Sequence, residues 1–483
     1  MVKIGKAIGL LGLIFFTSVT ARADHAHEEI KLFRGYMAKA EQGDPKAQVS
    51  VANSYYFGTG VEKDVKQALV WYRKAAEQGN HWGQVILGAA YYGGEGVQKD
   101  FVQAIYWYRK AADQGNVKAQ YHLAICYTNG EGVAKDGPEA AKWYRMAAVQ
   151  GDSGAQYGLG RCYYLGEGVA KDSTQAVVWY RKAADQGDAK AQLYLAICYF
   201  NGQGVAKDKA EAVTWYQKAA EQGDAKAQYF LATCYAGGEG VAKDSAKAVE
   251  WYRKAADRGD EFAQFEMAMR YESGEGVVRD LEQAFIWGRK SADQGNSFAQ
   301  NYLGVRYDKG NGVVQDLTCA VSLYRKAAVQ GNAQAQYNLA NCFLEGRGVV
   351  KDVAQAVSWY RKAAELGDPS AQHNLGHLYF DGIGVEVDYV QAASWYRRGA
   401  EQLDMESMHH LGDCYAAGQG VPKDEAEAYA YWNLAGVTYV DARKNLLLLE
   451  KKLSREEIAA GQRRTKELQK EIDAKIAAKK AGK

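Results

Sequence analysis

A period of 36 residues runs through this 483-residue chain without one insertion or deletion. Gly43, Gly79, Gly115, Gly151, Gly187, Gly223, Gly259, Gly295, Gly331 and Gly367 mark it, and Leu403 occupies the next slot. Between successive marks come a Gly-x-Gly-Val loop, an Asp, and a stretch resembling Ala-x-x-Trp-Tyr-Arg-Lys-Ala-Ala. A unit this short cannot bury its own apolar face and does so only by stacking on its neighbours. The period therefore dictates a solenoid, which offers a long surface in place of a central pocket.

The residues within one copy specify two helices. Following Gly187, Ala191, Leu195 and Tyr199 recur every four residues, one face of a first helix, A. Asp188 is its N-cap, and Asn201-Gly202-Gln203-Gly204 ends it, because glycine tolerates the left-handed conformation beyond a helix C-terminus. Asp208 opens a second helix, B, with Glu211 at capping-box spacing. Asp100 with Gln103 and Asp352 with Gln355 repeat that pattern. Ala212, Trp215, Tyr216 and Ala219 follow at helical spacing, and Gly223 stops the helix before Asp224 starts the next A. Pro45 and Pro369 fall just inside helix starts, where a missing N–H costs nothing. The chain reads as all-α.

The unit from Ala227 to Ala256, Ala-Gln-x-x-Leu-Ala-x-x-Tyr-x-x-Gly-x-Gly-Val-x-x-Asp-x-x-x-Ala-x-x-Trp-Tyr-x-x-Ala-Ala, resembles the Sel-one-like repeat, a relative of the tetratricopeptide repeat. Eleven copies of its Gly-x-Gly loop run from Gly58 to Gly420. The resemblance implies a right-handed α/α superhelical solenoid acting as an adaptor for protein complexes, often in bacterial envelopes, secretion, signalling or host contact. Leu453-Ser454-Arg455-Glu456-Glu457-Ile458 also looks like the start of the closing helix common in such proteins. Some cysteine-rich members of the family were discussed as binding penicillin or hydrolysing lactams. Those carry two spaced Cys per repeat and this chain carries one, so the analogy loses its main support. Leu323 in place of Trp, Gly288 in place of Tyr and Leu403 in place of the closing Gly depart from the pattern, and the last full copy reads Tyr431-Trp432.

The ends differ from the array. Lys3 and Lys6, an apolar run from Ala7 to Phe16, and Ala21-Arg22-Ala23 compose a secretory signal peptide over 1–23. Residues 24–42 are expected to hold a capping helix from about Ile30 to Glu41, 43–440 the solenoid, and 441–483 capping helices and a basic tail. The mature chain is expected in the periplasm of a Gram-negative bacterium, or secreted, after cleavage near Ala23, with no transmembrane segment. The formal charge of +2 includes Lys3, Lys6 and Arg22, which leaves the mature chain at −1 and argues against nucleic acid. From Arg443 onward 13 Lys or Arg face 6 Asp or Glu, a segment read as a solvated helical tail with an acidic or anionic partner as the alternative.

Cys126, Cys162, Cys198, Cys234, Cys342 and Cys414 share one register, so they sit at equivalent points of different repeats. Neighbouring helices lie about 8–10 Å apart, beyond the reach of a disulfide, and these cysteines read as small buried thiols. Eleven Gly-x-Gly loops without a preceding strand are turns, not phosphate cradles. No Gly-x-Ser-x-Gly or His-Glu-x-x-His occurs, and the recurring Asp residues are engaged as caps, so no catalytic residue and no cofactor are assigned. The Trp-Tyr pairs from Trp71-Tyr72 to Trp359-Tyr360 recur in nearly every copy and read as interlayer packing.

Function should lie where copies differ. Counting from the leading glycine of each helix A, positions 4, 8 and 12 form the repeated core, and positions 3, 7, 10 and 14 lie opposite. Position 7 carries Ile86, His122, Tyr194, Phe230, Glu266, Tyr302, Asn338, Asn374 and His410. Position 10 carries Ile125, Arg161, Ile197, Asn341 and His377. These residues are expected to line a concave groove that binds protein partners, with a merely solvated face as the alternative. Ile125, Tyr194, Ile197, Phe230 and Tyr302 are expected to be its exposed anchors, with Tyr194 and Phe230 replaceable by Asp without loss of folding. His373 and His377, with His409, His410 and Asp413 on the next helix A, could supply ligands for Zn²⁺, against ordinary surface histidines. Peptidoglycan or polysaccharide binding through the same tyrosines is the second reading of function, and a hydrolase a third.

Overall fold

The computed structural model describes residues 27–481, so the leader over 1–23 lies outside the described residues. Among these every regular element is helical, an α/α solenoid of alternating A and B helices. The chain divides into two compact units, one ending at Lys243 and one starting at Asp244. In the first, a helix over 27–41 precedes five A/B pairs, from Pro45–Phe57 with Val65–Glu77 to Ala189–Asn201 with Lys209–Glu221, and the A helix Ala225–Gly237. The second opens with the B helix Ser245–Asp257, continues through five pairs to Met405–Ala417 with Glu425–Ala435, and closes with Val440–Glu450 and Arg455–Ala481.

The anticipated stop and start signals operate at the atomic level. Asp188 accepts from the Ala191 N–H at 2.8 Å. Gly202 takes φ 74° and donates to the Cys198 carbonyl at 2.9 Å. The second loop glycine has a separate reason: a Cβ on Gly204 would lie 2.1 Å from the Ser173 carbonyl oxygen, so the loop can rest on the start of the preceding B helix only without a side chain. The capping boxes of the B helices form by half. Asp208 accepts from the Glu211 N–H at 3.0 Å, but its own N–H already donates to the Tyr199 carbonyl at 2.9 Å, and the Glu211 carboxylate turns to the Trp215 indole at 2.9 Å. Ser454 and Glu457 do complete a reciprocal box, at 2.7 and 3.2 Å.

Small and large side chains alternate across the layers. In one copy Tyr180, Ala183, Ala191, Leu195 and Cys198 are fully buried. Position 12 is less enclosed than positions 4 and 8, because Tyr199 and its equivalents turn their hydroxyls toward the Arg that follows the Tyr of helix B, as Arg361 does to Tyr379 at 2.9 Å. The six cysteines in register are buried and unpaired, and burial pushes the Cys126 thiol up to about 12. Trp side chains lie under cations one turn on, for example Trp215 with Lys218 at 3.9 Å.

One buried polar residue recurs where the period suggested only apolar packing. Gln192, at position 5, donates to the Ala184 carbonyl at 3.1 Å and accepts from Gln222, at the end of the following helix B, at 2.8 Å. Gln48, Gln84, Gln120, Gln156, Gln264, Gln300 and Gln372 make the same rung. In the second unit Leu366 stands where the donor should be, and the buried Oε1 of Gln336 is left without a hydrogen-bond partner.

At the C-terminal end the apolar run Leu446 to Leu449 covers the last repeat only in part. Leu446 and Leu449 are half-buried, while Leu447 and Leu448 face out. The cover comes from the long helix Arg455–Ala481, which buries Leu468 and Ile472 against the last repeat and ties Arg464 to Glu427 at 2.6 Å. Lys475, in the basic segment, reaches Glu401 at 2.6 Å.

Two substitutions test these contacts. Leu366→Gln supplies the absent donor and should raise stability by about 1 kcal/mol, read as a higher denaturation midpoint with unchanged helicity. Leu403 holds φ 65°, where its predecessors are glycine. Leu403→Gly should relieve about 1 kcal/mol of backbone strain, seen as stronger amide protection around residues 399–405.

Candidate functional site

The residues expected to form an open stripe are packed more closely than the helical wheel implied. Position 7 sits over the buried Tyr of the preceding helix B, fourteen residues earlier. His122 stacks on Tyr108 with ring centroids 5.2 Å apart, Tyr194 on Tyr180 at 5.6 Å, Phe230 on Tyr216 at 5.5 Å and His410 on Tyr396 at 5.3 Å. Asn374 donates to the Tyr360 hydroxyl at 3.3 Å, and that hydroxyl donates to Asn341, so both asparagines satisfy a buried phenol. Asn338 bonds Asn301 at 3.0 Å. Glu266 lies 3.6 Å from Arg270, and burial raises its carboxyl pKa against that attraction. Ile86, Ile125 and Ile197 are half-buried. Tyr194, Phe230 and Tyr302 are therefore lids on the core rather than free anchors, and an Asp in place of any of them would damage packing.

Tyr302 shows the coupling most clearly. Gly288 replaces the Tyr of helix B, and a Cβ there would meet the Tyr302 ring at 2.9 Å. The ring from helix A occupies the space that the helix-B ring fills elsewhere, and the Arg306 guanidinium covers it at 4.7 Å while pairing with Glu272 at 2.7 Å.

Position 6, outside the predicted stripe, contributes to the same face. It carries Tyr121, Tyr157, Tyr229, Phe265, Tyr337, His373 and His409. It varies less than position 7, but seven of its eleven residues carry an aromatic or imidazole ring, and that was the available signal. In the first unit two of these tyrosines frame a recess of about 200 Å³, lined by Tyr121, Ile125, Thr128, Tyr144, Tyr157, Arg161 and Glu167. It exists because positions 3 and 7 of that copy are Gly154 and Gly158. With no ring at 158, Tyr144 stays 7% exposed, against 1% for Tyr108 and 0% for Tyr180. Arg161 pairs with Glu167 at 3.4 Å on the rim, both side chains 41% exposed. Ile125 and Arg161 both line this recess.

In the second unit His373, His377 and His410 bring ligand-capable atoms within 4.8 Å of one another, and His409, His410 and Asp413 do likewise. Burial, followed by the His410 and His377 imidazoles, pulls the His373 pKa down to about 4, so its ring is neutral at pH 7. His409 is also lowered by burial. Its Nε2 is engaged with the Asn445 amide at 3.1 Å.

The Sel1 repeat family matches the chain in eleven consecutive segments, from 45–80 to 406–436. The chain is a Sel1 repeat protein. It is similar to the crystal structure of a protective antigen present in uropathogenic Escherichia coli strains displaying an SLR fold, at 37% identity over 93% of this chain and 97% of that one, with a TM-score of 0.78. A Sel1 repeat protein from Oxalobacter formigenes is 35% identical over 64% of this chain and 90% of its own, with a TM-score of 0.51. No curated protein matches the chain. Sel1 repeat proteins are in general scaffolds for protein interaction, and the fold is typically non-catalytic. No described helix is long and apolar enough to cross a membrane.

The displaced ring of this Sel1 repeat protein can be tested by exchange. Tyr302→Asn should cost about 2 kcal/mol, as a large, partly buried ring is lost. Gly288→Tyr alone should also destabilise, by overpacking. The double variant restores the arrangement of the other copies and should recover most of the loss, a coupling that a double-mutant cycle in denaturant measures directly.

Proposed function

We propose that this Sel1 repeat protein is an exported adaptor without catalytic function that grips a partner protein along the A-helix face. The observation that carries the reading is the recess at Gly154 and Gly158, where the copy that lacks covering side chains leaves Tyr121, Tyr157 and Ile125 partly accessible over a floor formed by Tyr144, beside a charged rim. A recess of this kind takes one apolar or aromatic side chain of a partner, and Arg161 adds a donor for a neighbouring carboxylate or backbone carbonyl. The preformed tyrosine frame limits the ordering cost on the protein's side. Ile86, His122, Tyr194, Ile197 and Phe230 would flank the partner as a packed wall rather than as inserted anchors. The asparagines, Glu266, Tyr302, His377 and His410 offer the corresponding face in the second unit.

Export rests on the leader pattern at Lys3, Lys6, Ala7 to Phe16 and Ala21-Arg22-Ala23, and a periplasmic or secreted location follows from it. Extensive similarity to a protein described as a protective antigen is in keeping with that location. The boundaries read from the sequence belong to the same proposal: 1–23 as leader, 24–42 as the N-terminal cap segment, 43–440 as solenoid and 441–483 as C-terminal cap and tail.

A photoreactive residue in place of Ile125, in cells, tests the reading. Capture of one discrete protein, reduced about tenfold or more by Arg161→Glu while melting is unchanged, is the expected result. Arg161 is half-exposed, so its reversal leaves the fold intact. Capture of peptidoglycan or another glycan instead would transfer the tyrosine frame to the sugar-binding reading, and capture of nothing would remove the recess from function.

A further inference from the structure

The A helices Pro369–Asp381 and Met405–Ala417 bring together a histidine cluster that the recess does not use and whose ring nitrogens the core does not fully satisfy. His373 and His377 are four residues apart on one helix, and the ring centroids of both lie within 5.3 Å of His410 on the other. We propose that His373, His377 and His410 form a binding site for one divalent transition-metal ion of the Zn²⁺ type, through their Nε2 atoms.

The orientation of the rings supports this donor set. The His377 Nδ1 lies 3.4 Å from the Asp381 carboxylate, the His410 Nδ1 lies 3.4 Å from Asp413, and the His373 Nδ1 lies 3.2 Å from the Asn374 side-chain oxygen and 3.4 Å from Glu406. An oxygen beside Nδ1 favours the tautomer with the proton there and leaves the Nε2 lone pair for a metal, the arrangement by which metal-binding histidines are held. The second observation is independent of the clustering: the Nε2 of His373 is buried with no hydrogen-bond partner, and the residue is 9% exposed. A cation bound between the three rings supplies that missing partner.

The surroundings narrow the ligand set. The Nε2 of His409, the nitrogen beside Asp413, is taken by Asn445 at 3.1 Å while the ring packs on Tyr439 at 5.1 Å, so that nitrogen is not a fourth donor, although the buried Nδ1 of His409 also has no hydrogen-bond partner. Asp413 accepts from the Trp432 indole at 3.1 Å and from Asn445 at 3.0 Å, which holds it as the orienting partner of His410. Three imidazoles favour Zn²⁺, Co²⁺, Ni²⁺ or Cu²⁺ over Mg²⁺ or Ca²⁺, which prefer oxygen. Ligand atoms within 4.8 Å must draw in to reach Zn–N bonds of about 2.0–2.1 Å. The His377 side chain, 42% exposed, is free to make that rotation. The fourth position is left to water or to a donor from outside the chain.

The test uses the tag-free full chain, titrated with Zn²⁺ by calorimetry and with Co²⁺ by visible absorption. One ion per chain with tetrahedral-type Co²⁺ bands is expected. His377→Ala should abolish it with unchanged circular dichroism, Asp381→Asn should weaken it about tenfold, and His409→Ala should leave it intact. Absence of saturable uptake overturns the proposal. Uptake that survives both His377→Ala and His410→Asn also overturns it, by placing the ion on other residues such as His25 and His27.

Discussion

A glutamine at position 5 of the A helix, present in every copy but the last, where Met408 stands, ties the layers of the solenoid to one another. An apolar stack of helices can slide, because dispersion and hydrophobic burial have little direction. The buried amide cannot be satisfied in more than one register: its nitrogen reaches the last turn of the preceding helix B and its oxygen receives the glutamine that ends the following one. A rung left half-made places an unpaired polar atom in the interior, so each repeat is held in step by the cost of misalignment. Within each unit this register lets the Tyr of a helix B, where one is present, meet the same point of the next helix A.

That meeting point determines how much of the variable face is free to evolve contacts. Position 7 is variable in identity yet constrained in place, since whatever stands there roofs a buried tyrosine. A ring stacks, an asparagine hydrogen-bonds and a glycine leaves a hollow. The recess near Gly158 and the displaced Tyr302 ring are two outcomes of one rule, deletion of an aromatic from one side of the contact. In the first case the gap remains open to a ligand side chain. In the second the partner helix fills it, and the cavity that would weaken the core is avoided.

The histidine cluster follows from the same geometry. Positions 6, 7 and 10 of adjacent A helices converge, so two copies that carry imidazole at those positions bring several nitrogens together. Carboxylates one turn along each helix, Asp381 and Asp413, orient the rings. Elsewhere the same positions hold Tyr, Phe and Asn, and the face offers packing and hydrogen bonds instead.

The period, the Asp and Asn caps, the paired loop glycines and the apolar spacing determined the all-α solenoid and the extent of its repeats, because those features act within about one turn of their own residue or repeat without variation. The buried register of Cys126 and its equivalents was legible for the same reason. What a helical wheel could not supply was the depth of the opposite face. It placed position 7 away from the core of its own helix, but the neighbouring helix B rises over it, and only the packed pair shows Tyr194 and Phe230 as lids, Asn341 and Asn374 as partners of one phenol, and Tyr302 as a substitute for a missing ring. The recess and the unpaired His373 nitrogen likewise depend on the distance between side chains from different helices, which the order of residues along the chain does not contain.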